Sequence, residues 1–151
     1  MRTSSSLDLD APVGTVAALV DDLSAYSQWM PMIHGIERAD ADGETAWSVE
    51  LRAKVGPFAR SKRLRMVRTV RDTSPDGAVT VVFARREVPV RQHSAWTMTV
   101  RVSPRGAGCT VAMDLEYGGS LWTAGVLDRV LASNIEAGKK GLAAAVNGST
   151  H

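Results

Sequence analysis

From Thr45 to Val55 the side chains alternate. Trp47, Val49, Leu51, Ala53 and Val55 are apolar, and Ser48, Glu50, Arg52 and Lys54 between them are polar. A period of two predicts a strand with one face buried and the other wet. The same rhythm recurs over Gln92–Ser103, with Trp96, Met98, Val100 and Val102 in phase, and over Cys109–Tyr117, with Val111, Met113, Leu115 and Tyr117 opposite Asp114 and Glu116. Ser4–Asp10, Ile33–Ala39, Ser61–Thr73 and Val79–Arg86 read as four further strands. The segments Asp40-Ala41-Asp42-Gly43, Gly56-Pro57, Ser74-Pro75-Asp76-Gly77 and Pro104-Arg105-Gly106-Ala107-Gly108 carry the turn chemistry between them.

The rhythm changes in two places. After Pro12, which suits a first helical turn, Val13, Val16, Ala17, Val20 and Leu23 recur at helical spacing and predict a helix over 12–22. Ser24 is placed to cap a second short helix running through Tyr26 and Trp29, ended by Pro31. At the other end, Gly118-Gly119 closes the strands and Ser120 caps a helix from Leu121 to about Val146. Leu127, Val130, Leu131, Ile135 and Leu142 form its apolar stripe. At ~1.5 Å per residue that helix is about 40 Å long. The predicted order is one strand, two short helices, six strands and one long helix. Short turns make the strands antiparallel neighbours, and only a curved sheet wrapped around the last helix buries both apolar faces. The expectation is an α+β domain, a sheet of about seven strands gripping the C-terminal helix around an internal apolar cavity, over residues 1–147, with 148–151 as a flexible tail.

That element order, together with Leu9-Asp10-Ala11-Pro12, Val16, Leu19-Val20-Asp21-Asp22, Tyr26 and Trp29-Met30-Pro31, resembles the START-like helix-grip superfamily, and within it the bacterial polyketide cyclase/dehydrase and lipid-transport branch. Val55-Gly56-Pro57 in mid-sheet is similar to the superfamily's relatives among carbon monoxide dehydrogenase subunits. The resemblance implies binding of lipids, polyketides or other apolar molecules beneath the long helix. It supplies no universal catalytic residue, so activity has to be argued from the site.

The inward phase of the strands and of the last helix nominates Trp29, Trp47, Met66, Arg68, Phe83, Trp96, Met98, Met113, Leu115, Tyr117, Leu131 and Ile135 as ligand-binding. Methionines suit a wall that adapts to irregular shapes. Tyr26, Trp29 and Met30 either line the cavity mouth or pin the short helices to the sheet. Gly138 and Gly141 either leave room for a ligand or let the helix pack closely. Arg68 is the polar residue of most interest. Even alternation from Leu64 and Met66 turns it inward, where a guanidinium needs a partner, whereas a bulge turns it to solvent.

Chemistry beyond that is sparse. His34, His93 and His151 are scattered, with no ligand spacing. No nucleophile elbow or phosphate loop is present, so neither a metal nor a cofactor is expected. Arg60, Lys62, Arg63, Arg65 and Arg71 form a basic edge, read as a solvated face that discourages strand pairing or as an attraction for anionic lipid. Without interleaved aromatics, and with a net charge of only +2, nucleic acid is not expected. The single cysteine, Cys109, excludes an internal disulfide. With no signal-like or membrane-spanning run, a cytoplasmic protein is expected, monomer or dimer. Three functions stay open: a carrier of a hydrophobic small molecule, a cyclase or dehydratase using Arg68, Glu87, His93 or Tyr117, and an assembly module. The carrier reading leads, because the pattern builds a cavity and no catalytic constellation.

Overall fold

A computed structural model describes residues 2–55, 57–118 and 126–149, with the side chains at 53–55, 58, 60, 126–131, 148 and 149 outside that description. Seven strands form one antiparallel sheet: β1 (Arg2–Leu9), β2 (Ile33–Arg38), β3 (Ala46–Val55), β4 (Phe58–Thr73), β5 (Val79–Arg85), β6 (Trp96–Arg105) and β7 (Gly108–Tyr117). Their order across the sheet is β1-β7-β6-β5-β4-β3-β2. Helices α1 (Val13–Val20) and α2 (Leu23–Tyr26) fill the crossover from one edge strand to the other, and α3 (Val126–Ser149) ends the chain. Contacts of α3 reach both β1 at one edge and β3 near the other. A single helix touches both margins only if the sheet curls round it, which is the expected grip.

The ladders fix which residues share the concave face. Trp47 pairs with Met66 and Met66 with Arg85, while Leu51 pairs with Lys62. Phe83 pairs with Met98 and Met98 with Leu115, which faces Thr3. Side chains at two-residue intervals therefore form rows running across the sheet.

The departures from expectation have local causes. Asp22, not Ser24, caps α2: its carboxylate accepts the Ser24 amide at 2.8 Å, and α2 ends at Tyr26, before Trp29. Pro12 stands at the N-cap of α1 rather than within its first turn. β6 begins at Trp96, not Gln92, because Arg85 holds the Ser94 hydroxyl and carbonyl and draws residues 86–95 out of the ladder as a loop. α3 continues to Ser149, past Val146, while its expected start at Leu121 lies outside the described residues.

The largest difference is in β4. The register slips between Arg68 and Val70, a bulge that leaves Thr69 without a ladder partner. Beyond it Arg71, rather than Val70, stands opposite the buried Val81, and Val70 turns out to solvent. Arg68 itself stays on the concave side of the bulge. The basic edge also dissolves. Lys62 shares the concave face with Leu51, Arg63 bonds Ser48 on the outside, and Arg71 pairs with Asp21. Arg65 is buried beneath the β2–β3 hairpin, bonded to the Ala39 carbonyl and to Glu44.

Candidate functional site

Between α3 and the concave face lies a cavity of about 150 Å³. The first turn-rich segment closes one side with Tyr26, Trp29, Met30, Met32 and Ile33. Strands β3 and β4 add Val49, Leu51, Leu64 and Met66, and strands β6 and β7 add Trp96, Met98, Val111, Met113 and Leu115. Thr3, Ser5, Ser6 and Leu7 come from β1, and α3 presents Asn134, Ile135, Gly138, Lys139 and Leu142. The wall is overwhelmingly apolar. It also gathers five of the six methionines in the chain, the side chain best able to repack around an irregular guest.

Of the nominated residues, Trp29, Met66, Trp96, Met98, Met113, Leu115 and Ile135 stand in this wall. Four others do not. Trp47 and Phe83 are fully buried and stack edge to face, and Phe83 continues edge-on to Tyr26. Tyr117 lies behind Trp96, ring centres 5.7 Å apart. Arg68 donates to the Asp21 carbonyl at 2.7 Å, with its guanidinium 5.8 Å from the Trp47 ring. It therefore serves the C-terminal end of α1, where free carbonyls and the helix dipole favour a cation. The Leu131 side chain lies outside the described residues. Leu7, Leu64 and Val111 continue phases already evident in the sequence, whereas Asn134 and Lys139 escaped notice because they interrupt the stripe of α3.

The junction beside the cavity is built from the same aromatics. Tyr26 donates its hydroxyl to the Val20 carbonyl at 2.8 Å, and the Trp29 indole donates to the Leu19 carbonyl at 3.1 Å. Burial, followed by the charge of Asp21, holds the Tyr26 phenol well above its ordinary pKa, so it stays neutral. Tyr26, Trp29 and Met30 thus both line the cavity and pin the short helices. Gly138 and Gly141 of α3 resolve toward close packing. A Cβ at Gly141 would collide with the Trp29 carbonyl, and one at Gly138 would come within 3.1 Å of Met30 Sδ. Gly138 also stands in the cavity wall.

One end of the concave face is polar. Arg85 occupies the row between Met66 and Trp96, with a side chain only 8% exposed. Its Nε donates to Glu87 at 2.8 Å and its Nη1 to the Ser94 hydroxyl at 3.0 Å. Lys62 Nζ donates to the same hydroxyl at 2.9 Å and lies 5.9 Å from the Trp96 ring centre. Burial, then the neighbouring Arg85 charge, pulls the Lys62 pKa below its ordinary value. Burial opposes the Glu87 carboxylate, but the bond from Arg85, the Arg65 amide and the charges of Arg85 and Arg91 outweigh it and hold the carboxyl below its usual range. Sequence phase contained this signal, since Val79, Val81 and Phe83 extend evenly to Arg85.

Arg68, Glu87, His93 and Tyr117, the nominees for proton transfer, are absent from the cavity wall. His93 is exposed, its ring nitrogen against the Ser94 carbonyl. Among the described residues no three His, Cys, Asp or Glu side chains converge as a metal site, and no helix is long and apolar enough to cross a membrane.

The sequence matches the family model for polyketide cyclase/dehydrase and lipid transport over residues 1–147. Nothing among curated proteins matches it. Among solved structures, human StAR-related lipid transfer protein 5 superposes with a TM-score of 0.83 at 10% identity, covering 99% of this chain and 77% of that one. A protein from Thermus thermophilus gives 0.75 at 17% identity, with both chains fully covered. A STAR-related lipid transfer protein from Xanthomonas axonopodis gives 0.66 at 19% identity, over 93% and 85% of the two chains. At these identities the likeness is one of fold.

Proposed function

The chain belongs to the polyketide cyclase/dehydrase and lipid-transport family, within the START-like helix-grip superfamily, and from that premise we propose that it binds and carries a hydrophobic small molecule in the cavity beneath α3. The observation that carries this reading is the methionine-rich wall. Five flexible thioether side chains around one void are poor material for a rigid core and good material for an adaptable pocket. The polar side chains at the wall come from Thr3, Ser5, Ser6, Asn134 and Lys139, a small set of the kind that fixes a guest's orientation. Lipids, polyketides and aromatic metabolites are the classes such a wall accepts.

Native mass spectrometry of protein purified gently from its own host tests the proposal. A bound hydrophobic mass that leaves on denaturation is the expected result. A ligand that emerges chemically altered after incubation would replace carriage with catalysis. Failure to hold any apolar compound, either from the host or added in excess, would refute the reading.

A further inference from the structure

The polar end of the concave face carries more positive charge than its own carboxylate balances. Arg85 and Glu87 are both nearly buried, 8% and 10% exposed, and pair with each other at 2.8 Å. Arg91 also approaches Glu87, at 3.8 Å, but from an exposed position where solvent screens it. Lys62 has no carboxylate within ion-pair distance among the described residues, feels Glu87 only at longer range, and is partly shielded from water. Its ammonium has the Ser94 hydroxyl at 2.9 Å, an acceptor it shares with Arg85, and the face of Trp96. An ammonium offers three donors, and among the described residues only one is engaged.

The position of this charge ties it to the cavity. Lys62 is the cross-strand neighbour of Leu51 and lies two residues from Leu64 on the same face. Trp96 lies under its ammonium, and Leu51, Leu64 and Trp96 are all cavity wall. Trp96 also carries a buried indole N–H with no hydrogen-bond acceptor among the described residues. Lys62 and Ser94 are not themselves in the wall; they stand directly behind Leu51, Leu64 and Trp96, at one end of an otherwise apolar void. Lys139, the α3 lysine in the cavity wall, differs in already having Glu136 at 3.5 Å.

We propose that the ligand is an amphipathic acid, with a hydrophobic body in the methionine-lined void and a singly charged carboxylate against Lys62 and Ser94. This rests on the carrier reading and names its ligand class. One negative charge matches the single cation that Arg85 and Glu87 leave over. A neutral alcohol or ester would leave Lys62 uncompensated. A dianionic phosphate would have to be desolvated with an excess of charge.

The test is displacement of the uncharged dye N-phenylnaphthylamine from the whole protein by dodecanoate, dodecanol and dodecyl phosphate. Dodecanoate is expected to displace it at a concentration roughly tenfold below that of dodecanol, the size of one charge-assisted contact. Lys62→Met, which keeps the stem over Trp96, should erase that preference, and Lys62→Arg should restore most of it. Equal displacement by acid and alcohol overturns the assignment and leaves the carrier reading intact. So does a preference that survives Lys62→Met or follows Lys139→Met instead. Tighter displacement by dodecyl phosphate overturns the match to a single charge. Failure of dye and competitors alike to bind overturns both this inference and the carrier reading.

Discussion

Two regions lie side by side under the same sheet and are built on opposite plans. At the junction of α1, α2 and the sheet, Tyr26, Trp47 and Phe83 are 0–2% exposed, stack edge to face, and their polar atoms are committed to the Val20 carbonyl and the Ser24 hydroxyl. A few residues away, Met30, Met98 and Met113 are only partly buried and border empty space. The junction gains from large rigid rings with fixed partners. The cavity forgoes that density, at a cost in dispersion contacts, and keeps side chains that can move. The aromatic half therefore carries the fold, and the methionine half is left free for a guest.

Truncation on the two sides should break that comparison most sharply. Trp47→Ala is expected to cost about 3–5 kcal/mol, the range for a buried aromatic, read as a shift of the urea midpoint. Met98→Ala should fall below the ~2–5 kcal/mol of an enclosed methionine, because part of its surface already meets a void. Equal losses at the two sites would erase the distinction. A smaller effect separates Gly141 of α3 from ordinary helix positions. Alanine usually gains about 1 kcal/mol over glycine within a helix. At Gly141 the added methyl meets the Trp29 backbone, so Gly141→Ala should instead destabilise by roughly 1–3 kcal/mol, as overpacking does. A stabilised variant would show that α3 does not press on the Trp29 segment.

The smallest effect concerns the polar end. Against the opposing effect of burial, the Glu87 carboxyl has a folded pKa below its unfolded value, held there chiefly by the bond from Arg85. Its contribution to stability is therefore fully present above that unfolded value and is lost as pH falls through the lower folded one. Urea midpoints measured across that acid range should decline in the native protein, and Glu87→Gln should flatten part of the decline. An unchanged slope would mean that the Arg85–Glu87 pair is not held as described.

The two arginines of the concave face show how much the sequence disclosed. Alternation and turn chemistry together located the seven strands, and alternation gave the inward phase of Trp96, Met98, Met113 and Leu115. It went wrong at Val70, because a bulge is one extra residue and no single side chain announces it. Arg68 faces inward, as even alternation offered. Its actual position is set by the carbonyls at the end of α1, a tertiary relation with no local signature. Arg85 was in phase with Phe83 all along, but its role depends on Glu87 and Ser94, which come from a loop whose course alternation does not encode. The same applies to Trp47 and Phe83, whose inward direction was legible. Whether an inward ring meets a void or another ring depends on where α1 and α2 come to rest.

The most direct test of the account is an NMR titration of protein labelled at the methionine methyls, with N-phenylnaphthylamine as the apolar guest. The account predicts that the methyls of Met30, Met32, Met66, Met98 and Met113 shift together and saturably while the Trp47 indole N–H stays in place. Saturable binding that leaves those five methyls unmoved, or no binding at all, would contradict it.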